Sequence, residues 1–363
     1  MFEIPKERLL DSLYKNSFNY KIAEYYQTLY MITDDDNYMR NCERVANCYK
    51  YFSIDMYLKH NITDITSISL CNDKFCKNCQ NVLSKQRYLK FKPYLDALSE
   101  EYDLYHVTLT VPNVSGLFLN DTLDKMYDSF GKFIKIFRRK NSRHKYLNLE
   151  SLGYVGAVRS LELTYNEASG YHPHFHCIFA LKKELDLERC IVNKFSYSNG
   201  IFNRSFTTFE QTIQKLWYLI YNNKRITEDN FLNAEGYSCT ADITNYDYKE
   251  VFKYTLKETF DDIVNSEVVF LTVRRALHYR RIIQGYGKLF GISDYEGEVI
   301  SLAYDNAYEE YIEELKKDCD PIHAVIFDYM LRDEIEKNPS MNYISRATVK
   351  PIVYEKGEHY EEE

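Results

Sequence analysis

The five residues His-Pro-His-Phe-His at 172–176, inside the stretch YHPHFHCIFAL, carry the most readable chemistry in this chain of 363 residues. Side chains alternate between the two faces of a strand, so His174 and His176 share one face while Phe175 and Cys177 turn into a core. Two imidazoles aligned in this way suit a divalent metal. Upstream, SLELTY puts Leu161 and Leu163 on one face and Glu162 on the other. A neighbouring strand would bring that carboxylate to the same ion, and two His with one Glu leave coordination positions open for a substrate oxygen. Histidine runs at turns are commonly surface decoration, but this one sits in an apolar strand. His172, ahead of Pro173 at the strand entry, reads as an outer neighbour of the site or an exposed side chain.

A second constellation is Cys71, Cys76 and Cys79, a C-x4-C-x2-C in SLCNDKFCKNCQ, with Cys42 and Cys48 upstream. Thiols at this spacing suit a tetrahedral structural zinc, with Cys48 the preferred fourth ligand and Cys42 the reserve. The remaining cysteines, Cys177, Cys190, Cys239 and Cys319, read as buried thiols. The third constellation lies in DYKEVFKYTLKETF, where Glu250 and Tyr254 are four apart and Lys257 follows three later, so one helix face presents a carboxylate, a phenol and an ammonium. With 35 tyrosines in the chain, that spacing alone does not single out Tyr254.

The elements that must hold these groups follow from periodicity. Residues 1–60 read as helical. LYHVTLTVP alternates as a strand and stops at Pro112. After Asn120 or Asp121 as a cap, Leu123, Met126, Tyr127, Phe130, Phe133, Ile134 and Phe137 recur at helical spacing, as in a helix packed on a sheet. It runs into FRRKNSRHKY, where Arg138, Arg139, Lys140, Arg143 and Lys145 form a basic patch, either a solvated helix end or a phosphate contact. Strands are expected at about 154–165 and 174–182, a helix near 207–222 opened by the capping box Thr207-x-x-Glu210, a strand near 237–243 and a helix at about 247–260. Residues 304–317 and 323–337 look helical. The order β-α-β-β-α-β-α predicts an α+β fold, an antiparallel sheet with helices on one face. Three parts are expected: 1–98, a helical region with the zinc module; 99–290, the catalytic domain; and 291–363, an acidic helical region.

Apolar residues make up 45% of the chain, enough for a core. The N-terminal MFEIPKERLLDSLYK lacks the apolar segment of a secretory signal, and no apolar stretch of about 18 residues exists, so the expected compartment is the cytoplasm, without a membrane partner. The net charge of −8 is unevenly spread. Residues 291–363 hold 19 acidic and 7 basic side chains, leaving 39 basic and 35 acidic ones in 1–290, a net of +4 compatible with a nucleic-acid partner.

In order along the chain, CNDKFCKNC, HVTLTVPNV, the pair GYVGAVRSLELTYN and YHPHFHCIFAL, and EVFKYTLKE resemble the rolling-circle replication initiators of small bacterial plasmids, within the HUH endonuclease superfamily. The resemblance covers about residues 40–290 and extends weakly into ALHYRRIIQGYGKLF. It implies a ferredoxin- or RRM-like palm that nicks single-stranded or hairpin origin DNA. His174, His176 and Glu162 match the ligands of a catalytic Mg2+ or Mn2+, Tyr254 the nucleophile, and Glu250 the carboxylate that activates water at termination. Lys257 or Lys253 would lower the phenol's pKa or neutralise a phosphate oxygen. Host helicase and polymerase are implied partners. Lys74 and Lys77 depart from the Arg and Pro usual in the family's knuckle, while the thiols are kept. The competing readings are a transposase or relaxase on the same fold, a zinc-containing DNA-binding regulator whose histidines are structural, and a small-molecule metallohydrolase.

Overall fold

The structure, a computed structural model, describes residues 6–292 and 313–327, apart from short breaks at 49–50, 61, 69, 139–143, 148, 184–188, 198–199, 245–247, 253–255 and 257–258. The chain divides into two units, Met1–Leu83 with Gly297–Glu363, and Ser84–Glu296.

In the first unit, α1 (Lys6–Thr33) is followed by α2 (Asp36–Ala46), which is capped by the Asp35 carboxylate accepting from the Asn37 amide at 3.0 Å. A three-stranded antiparallel sheet has the order β10-β1-β2, formed by β1 (Tyr51–Tyr57), β2 (Ile62–Ile68) and β10 (Ile322–Phe327). Two expectations are corrected here: 51–57 and 322–327 are strands, not helix. Both segments are rich in aromatic and β-branched residues, and each satisfies its backbone on a strand from the opposite end of the chain, a pairing that local periodicity does not register. Residues 313–318 are helical, overlapping the end of the expected 304–317; residues 304–312 and 328–337 lie outside the described residues.

The second unit is built on a five-stranded antiparallel sheet of order β8-β3-β5-β4-β9. Its strands are β3 (Tyr102–Thr110), β4 (Gly156–Asn166), β5 (Gly170–Lys182), β8 (Cys239–Ile243) and β9 (Ile283–Gly287). A separate hairpin pairs β6 (Arg189–Tyr197) with β7 (Gly200–Thr207). One sheet face is covered by α4 (Gly116–Arg138) and α5 (Thr208–Tyr221). Phe130, Phe133 and Trp217 stack edge-on against Phe175 and Phe179 of β5, and all five are fully buried. Each such side chain contributes about 1.5–3 kcal/mol by leaving water. The α5 capping box is present: Thr207 and Glu210 exchange bonds of 2.8 and 3.1 Å, and the other Glu210 oxygen accepts from the Ala241 amide, joining helix to sheet.

Helix α4 begins at Gly116, earlier than the expected cap at Asn120 or Asp121. Asn120 lies inside the helix and spends its oxygens on Arg280, at 3.0 and 3.1 Å. The opposite sheet face also carries helices, which corrects the expectation of one covered face. Phe91, Leu95 and Leu98 of α3 (Lys77–Glu101), with Val251 and Phe252 of α7 (Lys249–Phe252), form a core with Val158, Ile178 and Ile283. The helix expected over 247–260 is not continuous: Leu256 and Thr259 lie in turns before α8 (Phe260–Asn265), which leads to α9 (Glu267–Leu277). A one-turn helix, α6 (Glu228–Leu232), precedes β8.

Candidate metal centre and active site

Strands β4 and β5 form a hairpin whose turn is made by Asn166, accepting from the amides of Ala168 and Ser169 at 2.9 and 3.3 Å, and by Gly170 at φ +80°. A Cβ on Gly170 would stand 2.5 Å from the Val114 carbonyl oxygen, so only glycine closes this turn. The resulting register sets Glu162 opposite His174 and Ser160 opposite His176. Leu161, Leu163, Phe175 and Cys177 point the other way and are fully buried, as the alternation predicts.

On the opposite face, Glu162 Oε2 lies 3.0 Å from His174 Nε2 and 2.5 Å from His176 Nε2. All three side chains are half-buried. Burial pushes the Glu162 carboxyl up, but the hydrogen bonds from His174 and His176 and their charge outweigh it and hold the group well below the ordinary carboxylate range. The His172 ring lies 5.1 Å from that of His174, tilted by 31°; burial, then the charge of His174, pushes its imidazole pKa down. Two imidazole nitrogens and a carboxylate oxygen, converging within 4.8 Å of one another, form a group that could hold a metal ion.

The first unit brings Cys48, Cys71, Cys76 and Cys79 together, all buried; Cys42 is not part of the group. Neighbouring sulfurs are 3.4–3.5 Å apart, too far for disulfides and close to the roughly 3.8 Å expected of thiolates around one zinc. Donors surround the sulfurs: Asn19 Nδ2 reaches Cys76 at 3.2 Å and the Asn72 amide reaches Cys79 at 3.3 Å. Hydrogen bonds from Cys48, Cys71 and Cys76 hold the Cys79 thiol far below its usual range, while burial raises Cys76. A soft, shared-charge cage of this kind fits zinc.

Other sequence candidates are placed less fully. Glu250 lies on α7, and Tyr254, Lys253 and Lys257 fall outside the described residues. Arg138 ends α4 exposed, Lys145 opens the short turn Lys145–Leu147, and Arg139, Lys140 and Arg143 are outside the described residues. Of the cysteines read as buried, Cys177 and Cys239 are, whereas Cys319 is half-exposed. Two residues that periodicity passed over belong to the site's surroundings: His106 on β3, whose Nε2 is 3.0 Å from His176 Nδ1, and Thr259, fully buried, whose hydroxyl donates to the Leu163 carbonyl at 2.6 Å. Only the non-local pairing of β3 with β5 reveals the first. No helix of the described residues is long and apolar enough to cross a membrane.

The family described as Rep_1: Replication protein matches residues 63–330, a span that includes the three clustered thiols of the knuckle and the whole five-stranded sheet. A "Protein rep" of Bacillus sp is 24% identical over 304 residues, covering 77% of this chain and 91% of that protein. A "Protein rep" of Bacillus amyloliquefaciens is 25% identical, covering 76% and 80%. A third, from Streptococcus pneumoniae serotype 2, is 32% identical over 116 residues, about a third of each chain. No solved structure matches. The chain therefore belongs to the Rep_1 replication proteins, the rolling-circle initiators that its four sequence blocks resemble.

Proposed function

We propose that this replication initiator nicks single-stranded or hairpin origin DNA by tyrosine transesterification. The observation that carries the reading is the convergence of Glu162, His174 and His176 on a sheet face against which α7 also packs. Tyr254 follows α7 by two residues, and Thr259 beyond it is tied to Leu163, next to Glu162 in β4.

Glu162, His174 and His176 would hold a Mg2+ or Mn2+ ion, which would supply electrostatic stabilisation for the charge that grows on the scissile phosphate oxygens. The Tyr254 oxygen attacks phosphorus, the bond to the 3′ oxygen breaks, and the leaving oxygen takes a proton to become a free 3′-OH. The phenol, with an ordinary pKa of about 10, needs help to ionise, and Lys257 or Lys253 supplies the nearby positive charge. The 5′-phosphotyrosine bond conserves the phosphodiester energy for rejoining. At termination Glu250 takes the proton from a water or a second strand end. Arg138, Arg139, Lys140, Arg143 and Lys145 contact backbone phosphates, and the Cys48, Cys71, Cys76 and Cys79 knuckle holds a structural zinc. Host helicase and polymerase use the exposed 3′ end, in the cytoplasm.

The test is incubation of the protein with labelled single-stranded origin DNA and Mn2+ or EDTA, followed by a denaturing gel. A metal-dependent, protease-sensitive adduct lost in Tyr254→Phe is expected; an adduct that survives Tyr254→Phe removes the assignment. Glu250→Ala should still nick and fail to release.

A further inference from the structure

His106 emerges from β3 on the same sheet face as the converging triad, because Thr108 and Thr110, which share its face by alternation, pair with His176 and His174. Its ring stacks on that of His176, with centroids 5.1 Å apart and planes 22° apart. His106 Nε2 stands 3.0 Å from His176 Nδ1. The two nitrogens of His176 therefore face different partners, Nε2 toward Glu162 at 2.5 Å and Nδ1 toward His106. The pairing of β3 with β8 sets Asp242 opposite His106.

We propose that His106 is a positioning residue for the cation site, an acceptor that fixes both the tautomer and the ring orientation of His176. The proposal rests on the reading of Glu162, His174 and His176 as cation ligands. An imidazole that ligates through Nε2 keeps its proton on Nδ1, and a hydrogen bond from that N–H turns the Nε2 lone pair toward the ion. For His106 Nε2 to accept, His106 carries its own proton on Nδ1, on the strand whose other neighbour bears Asp242. Packing alone does not require this arrangement. A phenyl ring would stack on His176 equally well and accept nothing, whereas a glutamine amide oxygen could accept without stacking.

The test is a titration with Mn2+ alone, free ion read by electron paramagnetic resonance, on wild type, His174→Ala, His106→Phe and His106→Gln, with thermal unfolding recorded for each. Wild type is expected to bind and His174→Ala to lose binding. His106→Phe should weaken Mn2+ by about 10- to 100-fold, as loss of an outer partner of a ligating histidine does. His106→Gln should stay within about threefold of wild type, since one neutral hydrogen bond replaces another. Phe binding as tightly as wild type, or Gln falling as far as Phe, overturns the proposal. A wild type that binds no Mn2+, or binding that survives His174→Ala, overturns the ligand reading and the proposal with it. A second readout needs no variant: in 15N-imidazole-labelled wild type with Mg2+, His176 should carry its proton on Nδ1, and a proton on Nε2 refutes the role of His106.

Discussion

Thr259 donates its hydroxyl to the main-chain oxygen of Leu163 at 2.6 Å, one residue beyond Glu162. The bond is fully buried and ties the turn ahead of α8 to the strand that carries the carboxylate. Thr259→Val keeps the shape and removes the donor, leaving a buried carbonyl with one partner fewer. The expected result is DNA cleavage slowed about tenfold, a loss near 1–2 kcal/mol of positioning, with Mn2+ binding unchanged. Thr259→Ser should restore the rate. Single-turnover cleavage on gels, beside a Mn2+ titration, separates the two effects.

The thiol cage makes a clean distinction between two neighbours on one helix and its end. Cys48 lies within the four-sulfur group and Cys42 does not. Purified Cys42→Ala should retain one zinc per chain by atomic absorption, while Cys48→Ala should lose it. Removing the metal with a chelator should likewise open four thiols to alkylation in the native protein.

Arg159 is buried beneath the other sheet face. Its guanidinium lies 4.2 Å from the Tyr127 ring centre and 4.8 Å from that of Phe175, and donates to the Arg281 carbonyl at 3.2 Å, while its Nε has no hydrogen-bond partner among the described residues. A cation so placed gains from the rings and loses from desolvation, and the two nearly offset. Arg159→Met, which keeps most of the volume, should therefore change unfolding free energy by less than about 1.5 kcal/mol. Arg159→Ala, which leaves a cavity, should cost about 2–4 kcal/mol. Urea denaturation of both variants checks the contrast.

Burial pushes the Cys239 thiol up from an ordinary 9.0 to about 12, against a smaller opposing effect from the Thr110 backbone. A raised folded-state pKa means that the folded protein holds a proton the unfolded chain releases. The associated stability is whole below pH 9 and is lost as pH rises from there toward 12. Between about pH 8.5 and about pH 10, the urea midpoint of Cys239→Ala should accordingly fall less steeply than that of wild type.

What was legible in the sequence was local. Alternation alone put Glu162, His174 and His176 on one face and Leu161, Leu163, Phe175 and Cys177 on the other, and Thr207 with Glu210 announced α5. The knuckle was readable because thiol spacing is a short-range signal. His106 was not, because a single histidine at the polar position of HVTLTVP looks like any solvent-facing strand residue until β3 is paired with β5. The strands Tyr51–Tyr57 and Ile322–Phe327 were hidden for the same reason, each finding its partner across nearly the whole chain. The β6–β7 hairpin went unread although the sequence pair Asn199-Gly200, a strong turn signal, stands where β6 gives way to β7.

The three converging side chains lie between positions 162 and 176, on a single hairpin closed by Asn166 and Gly170. Bringing them together costs little loop-closure entropy, whereas the proposed nucleophile, Tyr254, lies some eighty residues later in the sequence. The proposed cation site is therefore set by the register of one local hairpin, and its closure owes nothing to the segment that would supply the nucleophile.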